Sequence, residues 1–394
     1  MTTYASPSSR PRPRDLDQDA PLRPKNPKYP KKQKRKGPSP LWAKLCLVFG
    51  SLVMVTSGAA IVVPKVLASW ATSSIPHQNL IPAELKGANI DGSINMLLLG
   101  MDERAGNSTE PIRADTIMVA HVPKDHKNIY LISIPRDLDA QIPAYPETGY
   151  KGGREKINAA FAMGARSNGK PDDSTQGRER GAALTMLAIN QLIPGGIKFN
   201  GAAIINFQGF RDVLQAIDGV DMCVDVLTRS IHYDKNNGYH TLLQDGDPRQ
   251  KVYPVGCYHM DYLSALDYAR QRHVENGDYT RQRHQQQLLV ALFDKLFSKD
   301  TVTNVGKIAA LQKAAGGLLT LDLNGTGVED WAFTFRSLSS SSIVMIKTNG
   351  GNFATLPNGN EAVTPATSQL FKAVHDDTVI DFLKLHSDWI AKKK

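Results

Sequence analysis

The sequence predicts an α/β fold, in which a single extracellular domain with a central mixed β-sheet flanked by helices (α-β-α) follows one transmembrane helix. Of the 394 residues, 41% are hydrophobic and 22% are charged, as is typical of globular proteins. Short β-rich runs alternate with longer helical patterns after residue 94, and an uncharged stretch long enough to span a membrane precedes them. These observations define the fold class.

The excess positive charge lies in the N-terminal tail. Residues 1–44 contain 12 Lys and Arg against 3 Asp and Glu, whereas residues 45–394 contain 35 of each class. A nucleic-acid-binding domain should be basic in its folded part, so the distribution argues against DNA or RNA as a partner. The tail is also rich in proline and is predicted to be a disordered, basic cytoplasmic segment.

A transmembrane helix is predicted over residues 45–66. Residues 45–63 contain no charged side chain, and at about 1.5 Å per residue a helix of this length roughly matches the hydrocarbon core. The basic cluster before it should stay in the cytoplasm, which places everything after Pro64 outside the cell membrane. The alternative is a signal peptide cleaved near Val66-Leu67-Ala68, against which the 44-residue leader argues.

Residues 67–93 are predicted to form a stalk because they contain prolines and show no clear periodicity. Residues 94–394 are taken as one extracellular domain, since no linker divides them.

The cysteines predict one disulfide. Cys46 falls inside the predicted span, which leaves Cys223 and Cys257 as a pair in an oxidising compartment. Neither neighbourhood contains CxxC or zinc-ligand spacing, so a structural bridge is favoured over a redox or metal role.

Three predicted strands open the domain. Residues 94–99 are a nearly continuous apolar run before Gly100, typical of a strand that is buried on both faces. The β-rich runs 116–122 and 128–134 flank a polar stretch and predict a hairpin. If its turn centres on Asp125-His126, paired residue numbers sum to 251, so Asp115 and Arg136 should lie at the same end.

The remaining elements follow from helical or strand periodicity. Helices are predicted at 156–164, 181–192, 208–217, 260–270 and 280–297, then near 302–315 and 378–391. Strands are predicted at 202–207, 219–226 and 342–347.

Two late helices carry polar side chains on the faces that should be buried. Arg281 and Gln285 continue the line of core leucines in helix 280–297. Arg270 continues a similar line in helix 260–270, and Arg272 follows its end. Inward arginines without an obvious internal carboxylate partner indicate a polyanion, and phosphate suits them because guanidinium donors bind its oxygens bidentately.

Carboxylates are expected at the same end of the sheet. Asp102 follows the first strand and should lie near Asp115, beside Arg104 and Arg113. Each residue taken alone is as consistent with a surface ion pair. Among phosphate-binding arginines, however, two carboxylates would hold a hard divalent cation, which predicts Mg²⁺ (or Mn²⁺) with pyrophosphate.

Six segments carry a resemblance to a known family. They are INMLLLGMDER at 94–104, RADTIM at 113–118, SIPRD at 133–137, KINAA at 156–160, YARQRH at 268–273 and GDYTR at 277–281. In order and spacing over residues 94–297 they resemble the LytR-CpsA-Psr family of bacterial envelope proteins. The topology of that family, one membrane span followed by an extracellular α/β domain, agrees with the charge distribution.

The resemblance implies a phosphotransferase that moves a glycopolymer from a polyprenyl-pyrophosphate carrier in the cytoplasmic membrane to peptidoglycan, through a phosphodiester. By position, Asp102 and Asp115 would bind Mg²⁺, and Asp102, Asp115 and Arg136 would act in catalysis. We hypothesise in addition that one of the two aspartates, Asp102 by preference, accepts the hydroxyl proton. The residues that would hold the pyrophosphate are Arg113, Arg136, Lys156, Arg270, Arg272, Arg281 and Gln285. The family fold also implies an apolar pocket for the polyprenyl tail.

The chain departs from the family pattern at one position. Where a second arginine usually precedes the glutamine pair, this sequence has His284, with Arg283 one position earlier. His284 is as consistent with a packed histidine as with a phosphate ligand. Two alternatives to transfer remain open: a protein that binds or regulates lipid-linked precursors, and a hydrolase that uses water as the acceptor.

Overall fold

The computed structural model describes residues 78–101, 111–234, 236, 238–239, 243–302 and 304–393. The predicted tail 1–44, the predicted span 45–66 and Asp102 lie outside these residues. Within them, no helix is long and apolar enough to cross a bilayer.

The described chain alternates strands and helices. In chain order the strands are β1 (Ile94–Met101), β2 (Ala114–Val122), β3 (Ile129–Ser133), β4 (Asp139–Ile142), β5 (Gly153–Lys156), β6 (Arg166–Ser167), β7 (Lys170–Pro171), β8 (Gly201–Asn206), β9 (Val220–Val224), β10 (Thr228–Asp234), β11 (Gly238–Tyr239), β12 (Gln250–Tyr253), β13 (Gly256–Met260), β14 (Leu319–Asp322) and β15 (Ile343–Ile346). The helices are α1 (Ala159–Gly164), α2 (Thr175–Leu192), α3 (Phe207–Ala216), α4 (Tyr262–Tyr268), α5 (Gly277–Leu296), α6 (Lys299–Val302), α7 (Val305–Leu318), α8 (Val328–Thr334), α9 (Pro365–His375) and α10 (Val379–Leu385).

A six-stranded mixed sheet forms the centre, in the order β14-β8-β1-β2-β3-β15. Strand β1 pairs antiparallel with β2 and parallel with β8. In the β2–β3 hairpin Met118 pairs with Ser133 and His121 with Tyr130, so the predicted register is confirmed. Because β1 and β3 run in the same direction, their C-terminal ends lie at the end of the sheet where β2 begins.

Helices cover both faces of this sheet, as predicted. Leu97 and Leu99 of β1 pack into the core formed with α1, α2, α9 and α10. Met96 and Leu98 lie on the other face, against side chains of α5 and α8 such as Val290. A third apolar cluster joins α3, α4 and α5 to β9. The prediction of an α/β fold with a mixed central sheet is confirmed.

The described part of the predicted stalk packs against the sheet instead of standing clear of it. Leu80 and Ile81 are buried. Their backbone N–H groups donate to the Asp322 carboxylate at 2.8 and 3.0 Å. The prediction of a stalk is therefore wrong for these residues. It relied on prolines and absent periodicity, but a segment that packs through irregular backbone contacts also lacks periodicity.

Several predicted element boundaries also shift. The helix predicted at 156–164 begins only at Ala159, because Lys156 ends strand β5. The helix predicted near 302–315 is the pair α6 and α7, and the one near 378–391 ends at Leu385. Helix α9 was not predicted from the sequence. It begins at Pro365 with Thr364 as its N-cap.

The predicted disulfide is present in the structure. Cys223 of β9 and Cys257 of β13 face each other directly in an antiparallel pair and are bonded. Replacing both by serine is expected to lower the free energy of unfolding by about 2–4 kcal/mol, because the cross-link restricts the unfolded chain. Denaturant titration checks this, and reduction of the unmutated protein should reproduce the loss. An unchanged midpoint in both experiments would contradict it.

Candidate functional site

A polar cavity of about 360 Å³ opens beside the C-terminal ends of β1 and β3. We call it the arginine cavity. Six residues predicted from the sequence line it, namely Asp115, Arg136, Arg270, Arg272, Arg281 and Gln285. Phe207, Ile231, His232 and His273 complete the lining. Residues separated by more than 160 positions in the sequence therefore share one site.

Helix α5 brings Arg281 and Gln285 to this end of the sheet. Helix α5 begins at Gly277, directly after Asn276 turns the chain with a positive φ of 59°. The buried Gln286 then joins α5 to the sheet, since its Nε2 donates to Leu131 O at 3.0 Å and Ser133 Oγ at 2.9 Å. This contact holds Arg281 and Gln285 next to the end of β3.

Arg270 and Arg272 are positioned by a buried hydrogen-bond network. Between them, Gln271 donates to Asp267 Oδ1 at 2.8 Å and accepts from Ile231 N at 3.1 Å. The hydroxyl of Tyr253 donates to Asp267 Oδ2 at 2.7 Å. Buried networks of this kind fix the backbone position, so the side chains of Arg270 and Arg272 extend from a rigid segment.

Two carboxylates pair with the arginines: Asp115, which lines the cavity, and Asp278, which is not part of the lining. Asp115 accepts from Arg136 Nη1 at 3.0 Å and from Arg272 Nη2 at 3.4 Å. Arg281 Nη2 lies 2.8 Å from Asp278 Oδ1 and donates to the backbone oxygen of Asp115 at 3.1 Å. The expectation that these arginines lack internal carboxylate partners is therefore wrong. The missed residue, Asp278, was visible in the sequence as an i,i+3 partner of Arg281.

Positive charge still dominates the cavity. The lining contains four arginines and one aspartate, and the Nε atoms of Arg136 and Arg281 are buried with no hydrogen-bond partner among the described residues. Burial alone would lower the pKa of Arg136, but Asp115, Asp278 and Asp137 outweigh it and raise this pKa. Burial lowers the pKa of Arg281 to about 10, and Arg272 and Arg136 add to the effect. Both side chains remain cationic at pH 7, and their unpaired donors suit an anion.

Two further predicted site residues, Arg113 and Lys156, are not part of the cavity lining. Arg113 is exposed. Lys156 is paired with Asp137 at 3.0 Å, and Asp137 in turn lies 3.7 Å from Arg136 Nε. Asp102 and Arg104 lie outside the described residues. Among the described residues, no group of three or more His, Cys, Asp or Glu side chains has the arrangement of a metal site.

An apolar cavity of about 260 Å³ adjoins the arginine cavity. Phe207, Arg270 and Gln285 line both cavities. The apolar lining then follows α5 for three further turns and includes Leu288, Leu289, Leu292 and Leu296. The leucine stripe that continues the line of Arg281 and Gln285 therefore borders a cavity instead of filling a solid core.

A further cavity of about 440 Å³ lies at the other end of β1, beside Asn95 and Asn200. Its amides are already satisfied: Asn95 donates to Lys198 O at 3.0 Å, and Asn200 donates to Asn89 O at 2.7 Å. The lining contains no arginine. The anion-binding chemistry therefore belongs to the arginine cavity.

Comparison with known proteins identifies the family. The family model LytR_cpsA_psr matches residues 68–376. The chain belongs to the LytR_cpsA_psr family. The match extends well past the six motifs and includes β14, β15 and all of α9, so the resemblance predicted from the sequence is confirmed.

Relatives within the LytR_cpsA_psr family are moderately similar to this chain. The polyisoprenyl-teichoic acid–peptidoglycan teichoic acid transferase TagU of Enterococcus faecalis is 27% identical over 62% of this chain and 66% of its own length. The probable cell wall biosynthesis protein LcpB of Corynebacterium glutamicum is 28% identical over 76% of this chain and 64% of its own. The chain thus spans slightly less than two thirds of these relatives.

The fold is shared with a solved structure. TagT bound to LIIa-WTA superposes with a TM-score of 0.51 and 20% identity, covering 75% of this chain and 94% of that one.

At the position where the LytR_cpsA_psr pattern has a second arginine, His284 turns away from the cavity. Its ring stacks on Tyr268 with centroids 4.1 Å apart, and its Nε2 lies 3.1 Å from Asp225 Oδ1. Arg283 also pairs with Asp225, at 2.6 Å. Of the two interpretations left open by the sequence, the structure shows the packed histidine.

Proposed function

We propose that this protein transfers a phosphoglycopolymer from a polyprenyl-pyrophosphate carrier to peptidoglycan through a phosphodiester. One observation carries the proposal: a cavity lined by four arginines adjoins a leucine-lined cavity, with Arg270, Phe207 and Gln285 on the lining of both. A pyrophosphate joined to a long hydrocarbon chain has the same division between anion and apolar tail. A small soluble phosphate ester would leave the apolar cavity unused.

The relatives support the choice of substrates. TagU of E. faecalis is named as a teichoic acid transferase that acts between a polyisoprenyl-linked donor and peptidoglycan. TagT was solved with LIIa-WTA bound. We extend both substrate classes to this chain because its cavities provide the matching chemistry. The predicted span at 45–66 would hold the domain at the cytoplasmic membrane, where a polyprenyl carrier is located.

The arginines would bind and polarise the pyrophosphate. Arg136 and Arg281 offer buried Nε donors that make no hydrogen bond within the described residues, and Arg270 and Arg272 extend the same cationic surface. When the acceptor hydroxyl attacks the phosphorus next to the sugar, negative charge spreads over the phosphate oxygens and the leaving polyprenyl phosphate. Preorganised guanidinium donors stabilise that charge without reorganising, which is the main source of catalysis in phosphoryl transfer.

Asp115 could bind a magnesium ion together with Asp102 and the phosphate oxygens of the substrate. Its carboxylate faces the cavity, and its partners are the arginines that would hold phosphate. Mg²⁺ commonly binds through one or two carboxylates plus phosphate oxygens, so Asp115 with Asp102 would suffice. When bound, the ion would neutralise phosphate charge. A bound ion would replace one of the guanidinium contacts of Asp115, and one of the two aspartates, Asp102 by preference, would accept the proton of the attacking hydroxyl.

The test is a transfer assay with the full chain in detergent. A polyprenyl-pyrophosphate saccharide, Mg²⁺ and a peptidoglycan oligomer are incubated with the protein, and products are followed by mass spectrometry. We expect a saccharide-phosphate-peptidoglycan adduct that is absent with EDTA and with Arg136→Ala. Free saccharide phosphate without adduct would instead indicate a hydrolase, and intact donor retained on the protein would indicate a binding or regulatory role.

A further inference from the structure

A loop beside the arginine cavity presents a surface that the pyrophosphate chemistry does not use. This rim loop, residues 348–361, joins β15 to α9. At its end, Glu361 N donates to Asp137 O at 2.9 Å and Asp139 N donates to Glu361 O at 2.7 Å. Asp137 directly follows Arg136, so the loop is attached to one of the segments that carry the arginines.

The same loop also reaches the start of helix α5. The Phe353 ring packs edge-on against Tyr279, with centroids 5.0 Å apart. Its tip lies 3.8 Å from the position that a Cβ on Gly277 would occupy. Tyr279 stands between Asp278 and Arg281 in the first turns of α5. The rim loop therefore contacts the segments that carry Arg136 and Arg281, two arginines whose side chains line the cavity.

Buried hydrogen bonds hold the loop in place despite its irregular backbone. The hydroxyl of Tyr279 donates to Glu361, which also accepts from Asn349 Nδ2 at 3.1 Å. The side chain of Asn349 donates further to Ala362 O at 2.9 Å. Asn360 Nδ2 donates to the buried Asp139 at 2.7 Å. A surface supported in this way is preorganised for binding.

The outer side of the rim loop combines an exposed aromatic ring with neutral polar groups. Phe353 is 55% exposed although its edge is anchored on Tyr279. The thirteen residues 348–360, TNGGNFATLPNGN, contain no charged side chain and four asparagines. Asn352, next to Phe353, is exposed. The thirteen residues themselves offer a charged ligand no counter-charge, whereas they suit a neutral ligand with one apolar face.

We propose that Phe353 and the exposed amide of the neighbouring Asn352 form a pyranose-binding subsite at the rim of the arginine cavity. A pyranose ring has an apolar C–H face, which buries hydrophobic area against an aromatic ring, and a surround of hydroxyl groups. Asparagine amides both donate to and accept from such groups. The inference rests on the proposed function in that a glycan is the substrate. The sugar belongs either to the peptidoglycan acceptor or to the saccharide of the donor.

Binding of a phosphate-free glycan tests the subsite directly. The probes are soluble N-acetylglucosamine–N-acetylmuramic acid oligomers and, separately, the dephosphorylated donor saccharide, titrated into the full chain in detergent and followed by saturation-transfer NMR. We expect Phe353→Ala to weaken binding of at least one probe by 10-fold or more, because it removes the ring face, and Phe353→Trp to retain binding within about 3-fold, because tryptophan keeps an aromatic face.

The matched control is Phe333→Ala, since Phe333 is 58% exposed but packs with Arg336 away from the cavity. Its glycan binding should equal that of the unmutated protein, and thermal melting should show all variants folded. The proposal is overturned if neither probe binds the unmutated protein or if Phe353→Ala binds the glycan as tightly as the unmutated protein. It is also overturned if Phe333→Ala loses as much glycan affinity as Phe353→Ala.

Transfer kinetics then distinguish the two sources of the sugar. A raised KM for peptidoglycan with unchanged kcat in Phe353→Ala assigns the subsite to the acceptor, and a raised KM for the lipid-linked donor assigns it to the donor. Either result supports the subsite. If the unmutated protein transfers nothing, the proposed function fails, while the glycan titration still decides the subsite by itself.

Discussion

Replacing Arg281 by methionine is expected to reduce kcat/KM for transfer by about 10²–10³-fold, the loss typical of removing one preorganised donor to developing charge. Arg281 is 3% exposed, its Nε has no hydrogen-bond partner within the described residues, and it belongs to the first turns of α5, where the helix dipole also favours an anion. Lysine at this position keeps the positive charge but not the planar, bidentate donors of a guanidinium. The kcat/KM of Arg281→Lys should therefore lie between those of Arg281→Met and the unmutated protein.

The same change is expected not to lower the melting temperature. The pKa of Arg281 is lowered to about 10 chiefly by burial, which means that folding disfavours its charged form. Removing the charge also relieves repulsion from Arg136 and Arg272. Asp278 keeps partners, since its Oδ1 lies 3.8 Å from Arg272 Nε and 3.9 Å from Arg136 Nε. Loss of activity without loss of stability would mark a residue retained for binding.

Arg336→Met is the control for Arg281, because Arg336 is exposed and its guanidinium lies on the Phe333 ring. Its activity should be unchanged. Inorganic pyrophosphate gives an independent measurement, since an anion that binds only the folded state raises the melting temperature. We expect that rise to be smaller in Arg281→Met than in Arg336→Met. Equal activity of the two variants would remove Arg281 from the proposed mechanism.

Local patterns were enough to predict the framework of the site. The position of the polar turn predicts the hairpin register, and that register places Asp115 and Arg136 at one end of the hairpin, where the structure shows them in contact. The stripe of Arg281 and Gln285 gave the correct face of α5 because helical periodicity directly reports which side chains point inward. Both inferences depend only on neighbours within one or two turns.

Features that depend on distant contacts were not predictable in the same way. The rim loop has no periodicity, and its position is set by Glu361 pairing with the segment around Asp137 and Asp139. The attachment of residues 78–81 depends on Asp322, more than 240 positions away. Likewise, nothing local distinguishes leucines that fill a core from leucines that border a cavity. These features follow from tertiary packing.

Replacing Asp225 by alanine is expected to lower the free energy of unfolding by about 3–5 kcal/mol, the cost of removing one partner of a buried ion pair, here with Arg283. Asp225 accepts from Arg283 Nε at 2.6 Å and lies 3.1 Å from Nε2 of the fully buried His284. Asp225→Asn should lose less, because the amide oxygen can still accept. The matched control is Asp221→Asn, four residues earlier, whose carboxylate is 81% exposed and pairs with the exposed His259. Surface pairs of this kind contribute about 0–1 kcal/mol.

The pH dependence gives this prediction a sign that a simple packing defect would not show. Burial alone would raise the pKa of Asp225, but hydrogen bonds from His284 and Arg283 outweigh it and hold the pKa well below its ordinary 3.8. A carboxylate with a depressed pKa stabilises the fold above its unfolded pKa and loses that contribution as the pH falls. The stability difference between the unmutated protein and Asp225→Asn should therefore be full at pH 7 and shrink below about pH 4. A difference that stays constant from pH 7 to pH 3 would show that the carboxylate charge is not what holds Arg283 and His284, and the departure from the family pattern at position 284 would then need another explanation.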